Sequence, residues 1–200
     1  MSHFIGLVLM DNKNWSLEEM LERYNEQTED YDYIEFADRT DEVVDAWEKL
    51  PKEERRKYLS IMDFAQEYFC YRVEKDADGH TRYGYNHNPN AKWDWWCEGG
   101  RWDGFIKTTA DGDYGGANVN ASPFTSVDWE TMLTEDNLPF CFVDTDGVWH
   151  ERAEMGWWCM TANEKGQNVW QNEVRDYIES IMRSEYEGED VYVYAIDFHI

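Results

Sequence analysis

The stretch VYVYAIDFHI at residues 191–200 is the strongest constraint on the fold. Apolar side chains stand at both odd and even positions, so a strand built from it buries both faces and belongs in the middle of a sheet. Residues 3–10 form a second short apolar run and read as another buried strand. The two are expected in one sheet, side by side.

Helical signals lie between them. Ser16 and Glu19 have the spacing of a capping box that opens a short helix to about residue 24. Residues 40–50 carry Val43, Val44 and Trp47 at helical spacing. Pro51 suits the first turn of another helix, expected to run to about residue 72. Residues 167–183 read as an amphipathic helix that buries Val169, Trp170, Val174, Tyr177, Ile178 and Ile181. Hairpins are expected around Asp76-Ala-Asp-Gly79 and Asp144-Thr-Asp-Gly147. The expected architecture is α+β, a mixed or antiparallel sheet that includes both the N- and C-terminal strands, with helices packed mainly on one face. Residues 1–200 are expected to form a single acidic domain.

A net charge of -25 over 200 residues is extreme. It argues against direct nucleic-acid binding and against an anionic membrane surface, because phosphates repel carboxylates. An aromatic fraction of 16% separates the chain from acidic disordered sequences. No apolar run approaches the ~20 residues that cross a bilayer. Residues 1–10 have no basic leader or small-residue cleavage site. Cys70, Cys97, Cys141 and Cys159 form no CxxC pair. A reduced, cytoplasmic setting is the expectation.

Three groups of residues are candidates for chemistry. The first is the tryptophan-rich block NPNAKWDWWCEGGRW at 88–102. Trp93 and Trp95 are expected to share one strand face, with Asp94 on the other. Gly99-Gly100 turns the chain before Arg101, which could grip a carboxylate or phosphate. The second is Trp149-His150 with Trp157-Trp158. Joined, Lys92, Trp93, Asp94, Trp95, Arg101, Trp102, His150, Trp157 and Trp158 would line a pocket for a planar ring such as a nucleobase. Core packing, with Arg101 tied to Asp94 or another acid, is the competing reading. The third is His3, Asp197 and His199, which could hold a divalent metal or move protons if the first and last strands pair. No motif requires a cofactor, and that metal is the one candidate. Phosphate-loop, dinucleotide and nucleophile-elbow motifs are absent, so no residue is assigned a catalytic role.

The opening Met1-Ser-His-Phe4, the NPxAKWDW and GGRW pieces of the block, Trp149-His150, Gly156-Trp157-Trp158 and the closing Asp197-x-His199-Ile200 together resemble a family of uncharacterised bacteriophage and prophage proteins. Cys159 and the Gly/Asn loop at 111–120 depart from that pattern. The resemblance implies a cytoplasmic setting in an infected or lysogenic bacterial host. It also implies an inhibitor of a defence system, of the anti-CRISPR or anti-restriction kind. Such an inhibitor would bind a host defence protein with a basic groove through an acidic, nucleic-acid-mimicking surface. Glu18, Glu19, Asp41, Glu42, Glu53, Glu54, Glu185 and Glu187 are the candidates for that surface. The alternative is a metal- or nucleotide-binding enzyme, or a nucleotide-sequestering protein, that uses the Trp-lined pocket.

Overall fold

Strand β1 (His3–Asp11) is buried along nearly its whole length. Helix α1 (Leu17–Glu22) follows, opened by the expected capping box: the Ser16 hydroxyl accepts from the Glu19 N–H, and the Glu19 carboxylate accepts from the Ser16 N–H. The computed structural model describes residues 2–11, 16–112, 114–156, 158, 160–183 and 190–200. Trp157, Cys159, Glu185 and Glu187 lie outside them. Two compact units divide the chain, one made of Met1–Glu26 with Ala91–Ile200, the other of Gln27–Asn90.

The Gln27–Asn90 unit holds β2 (Glu35–Asp38), α2 (Thr40–Lys49), α3 (Lys52–Arg55), α4 (Ile61–Tyr68), β3 (Arg72–Lys75) and β4 (Thr81–His87). Its antiparallel sheet has the order β2-β4-β3. Val43, Phe64, Ala65 and Tyr83 form its core, with Trp47 and Tyr58 packed against them. The helix expected from Pro51 to about residue 72 is broken into α3 and α4. Ser60 takes an extended conformation, and its hydroxyl caps the Asp63 N–H, so the second piece starts afresh there.

The larger unit continues with β5 (Trp95–Glu98), β6 (Ile106–Lys107), β7 (Asn118–Val119), β8 (Ala121–Pro123), α5 (Trp129–Met132), β9 (Cys141–Val143) and β10 (Trp149–Glu151). It closes with β11 (Glu154–Met155), β12 (Thr161–Ala162), α6 (Gln167–Met182) and β13 (Val191–His199). Its main sheet has the order β10-β9-β1-β13-β5, and β8 also pairs with β13. β1 and β9 run parallel while the remaining pairs are antiparallel, so the sheet is mixed. β13 is central, as its two-sided apolar pattern requires, and it runs antiparallel to β1 from His3↔His199 to Asp11↔Val191.

On one sheet face Leu7, Leu9, Phe142, Val193 and Ala195 pack with Trp170, Val174 and Ile178 of α6. Phe4, Val8, Val143, Ile196 and Phe198 pack with Met20 and Leu21 of α1 on the other. Burying both faces is what lets β1 and β13 be apolar throughout. Val169, expected in the α6 core face, is exposed. Trp170, Val174, Ile178 and Ile181 set that face, and Val169 stands about one residue's rotation away from it.

Candidate functional site

Antiparallel pairing sets His3 opposite His199, and Asp197 two residues back along β13. All three side chains therefore stand on one face, the face that α6 covers further along at Leu7, Leu9, Val193 and Ala195. His3 Nδ1 lies 2.8 Å from Asp197 Oδ1. The other oxygen of Asp197 accepts the Arg101 backbone N–H at 3.0 Å. His199 Nδ1 lies 2.5 Å from Asp94 Oδ1, and the Asp94 N–H donates to the His199 carbonyl. A carboxylate only accepts, so each Nδ1 carries the proton and each Nε2 is left as the basic nitrogen. The two imidazoles meet edge to face, with centroids 4.8 Å apart.

Burial is steep across this cluster. Side-chain exposure is 2% for Asp197, 5% for His199, 11% for His3 and 26% for Asp94. Trp95, the cross-strand partner of His199, stacks on that ring at 5.1 Å and 16° and remains 41% exposed. Cys97 pairs with Asp197, and burial together with that carboxylate pushes its thiol pKa up. The turn before Arg101 needs its glycines. Gly99 and Gly100 have φ of 70° and 54°, and a Cβ on Gly100 would lie 2.5 Å from Asp197 Oδ2.

The block from 88 to 102 does not form one wall. Trp93 is buried in the core under α1, where Trp96 also packs, while Trp95 stands on the histidine face. Trp93 and Trp95 thus do not share a strand face, because β5 begins only at Trp95 and Trp93 makes an isolated bridge to Asn25. Trp102 packs against the α6 core. Lys92 pairs with Glu151 at 2.6 Å. Arg101 is not tied to Asp94, whose carboxylate belongs to His199; its guanidinium is exposed and bonds to no described side chain.

His150 lies on β10, an edge strand at the opposite side of the sheet from β5. It stacks on Phe142 with centroids 4.4 Å apart. Its Nε2 is 2.9 Å from Asp144 and its Nδ1 3.5 Å from Glu173. It edges a cavity of about 300 Å3 lined also by Trp149, Glu151, Asn163, Lys165 and Glu173. Trp158 is exposed. The eight described pocket candidates therefore fall into separate places, and of these only Asp94, Trp95 and Arg101 join the His3, Asp197 and His199 cluster, Trp157 lying outside the described residues.

For a metal, the donor atoms of His3, Asp197 and His199 do not converge. Among the described residues the one group of three with all donors within 4.8 Å is Asp76, Asp78 and His80, on the exposed β3–β4 hairpin. The described acidic candidates are all exposed, Glu18 and Glu19 in one unit, Asp41, Glu42, Glu53 and Glu54 in the other. Some are already engaged: Glu19 caps α1, Glu42 accepts from Tyr71, and Glu54 pairs with Lys57. Two partners escaped sequence reasoning, Asp94 for His199 and Asp144 for His150. Asp94 directly precedes Trp95, but only the pairing of Trp95 with His199 in the folded sheet marks it as that ring's partner. No helix among the described residues is long and apolar enough to cross a membrane. No family model, curated protein or solved structure matches this chain.

Proposed function

We propose that this chain is an enzyme that works by general acid–base transfer at the His3–Asp197 and His199–Asp94 cluster. One observation carries the reading. Three distant segments deliver two imidazoles and two carboxylates to one place, and each imidazole has its Nδ1 held by its own carboxylate. Core packing alone needs no such pairing, because burying Asp197 and His199 costs stability that apolar residues would supply. His3, the more exposed imidazole, takes a proton at Nε2 from a bound hydroxyl or water. Asp197 then holds the resulting imidazolium, fixed in turn by the Arg101 N–H. Asp94 and Trp95 position His199 against the His3 ring.

The test is hydrolysis of a panel of chromogenic phosphate and carboxylate esters, with His3→Gln and His199→Gln beside the unaltered chain. Removal of a general base lowers rates by ~10²–10⁴-fold, so His3→Gln is expected to lose at least ~100-fold. Equal rates for His3→Gln and the unaltered chain would sink the reading, and so would no rate above blank on any ester.

A second reading rests on the charge of -25 and on exposed carboxylates in both units. Here the chain is a phage-encoded inhibitor of the anti-CRISPR or anti-restriction kind, presenting Asp41, Glu42, Glu53 and Glu54 of the Gln27–Asn90 unit to a basic groove on a host effector. Retention of a defence effector on the immobilised chain at low salt, released as salt rises, supports it. No such retention at low ionic strength removes it.

A further inference from the structure

We infer that the ligand of the histidine–aspartate site is a mononucleotide, its base stacked on Trp95 and its phosphate held by Arg101. The inference rests on the acid–base reading of that site and adds the chemical class of what enters it. Trp95 has one ring face against His199, yet it stays 41% exposed. Trp93, Trp129 and Trp170 are buried at 6%, 7% and 1%. An indole stacked on the His199 ring and met edge-on by the His3 ring, yet 41% exposed, is a stacking surface for a planar heterocycle.

Arg101 supplies the second recognition element. Two left-handed glycines and the bond from its N–H to Asp197 fix its backbone at the site, while the guanidinium is exposed. Acidic residues outnumber basic ones by 43 to 18, yet no described carboxylate pairs with it. An exposed guanidinium with no described carboxylate partner in so acidic a chain, carried on a backbone bonded to a buried acid, suits an anion that arrives from outside. A planar ring, an anion and a group that exchanges a proton together describe a nucleoside monophosphate. The end of a nucleic-acid strand offers the same chemistry, but each additional phosphate meets the net charge of -25.

The experiment is intrinsic tryptophan fluorescence and calorimetric titration of the full chain. Four ribonucleoside 5′-monophosphates, their nucleosides and a short single-stranded oligonucleotide serve as probes, with Trp95→Leu, Trp95→Phe and Arg101→Gln compared. At least one monophosphate is expected to bind and quench. Trp95→Leu should weaken the monophosphate and its nucleoside alike, by about tenfold or more, and Trp95→Phe by less. Arg101→Gln should weaken the monophosphate by about tenfold and leave the nucleoside unchanged. Unaltered melting temperatures establish that each variant folds. No binding of any monophosphate at millimolar concentration overturns the inference, as do variants that bind like the unaltered chain or an oligonucleotide that binds more tightly. The two proposals fail separately. Ester hydrolysis lost in His3→Gln without nucleotide binding removes only the ligand class; nucleotide binding lost in Trp95→Leu and Arg101→Gln without any ester turnover removes only the catalytic reading.

Discussion

Asp197 shows what one residue holds together. It is nearly fully buried, and its two oxygens are taken by the His3 ring and the Arg101 backbone. Asp197→Asn keeps the shape but presents a donor on one side, so it should return His3 in the wrong tautomer. A rate loss of ~10²-fold or more is expected with little change in melting temperature. His3→Ala leaves a buried carboxylate short of a partner and should cost about 1–3 kcal/mol, read from a urea midpoint. Cys141, wholly buried in β9 beside Gly6 of β1, carries a thiol pKa pushed well above its ordinary value by burial. Burial raises the Tyr24 and Tyr177 hydroxyls too. Above about pH 8.5 the unfolded chain begins to release protons that the folded chain keeps, so stability falls as pH rises further. A urea midpoint that stays level from pH 8 to pH 10 would contradict this.

The elements show where sequence reading succeeds and where it stops. β1, β13, α1, α6 and both hairpins announce themselves, because capping pairs, turn residues and apolar periods are local features. The Pro51 helix fails because nothing in its apolar period marks the extended residue at Ser60 that divides it. The candidate site was half legible. Two-residue spacing on β13 put Asp197 and His199 on one side, and the expected pairing of the strands added His3. Asp94 and the backbone of Arg101 were hidden because the register of β5 on β13, which sets Trp95 against His199, is a tertiary fact. The turn at Gly99-Gly100 can be tested directly. Gly100→Ala combines left-handed backbone strain with a clash on Asp197, so a loss of ~1–3 kcal/mol is expected. The NMR signals of the His3 ring should also shift. An unchanged melting temperature and an unchanged His3 spectrum would show that the turn does not shape the site.

Across the whole molecule, charge opposes compaction. At -25 the chain repels itself, and the buried sheet must outweigh that repulsion. Raising ionic strength from about 10 mM to 500 mM shrinks the Debye length from ~30 Å to a few ångströms. The melting temperature should therefore climb with salt, and sodium chloride should serve about as well as sodium sulfate in the low range. A melting temperature independent of salt would mean that the carboxylates are spaced widely enough not to interact.

The pairing of His3 with Asp197 has a consequence for how the protein comes into being. These residues are 194 positions apart. During synthesis β1 leaves the ribosome before β13 and has no β13 to pair with until the segments between them have been made. The growing chain must carry an apolar strand without its main neighbour, which favours late, cooperative closure of the sheet and makes nascent chains candidates for chaperone capture. The histidine site can form only when that closure occurs, so a chain interrupted before residue 197 carries His3 with nothing to hold it.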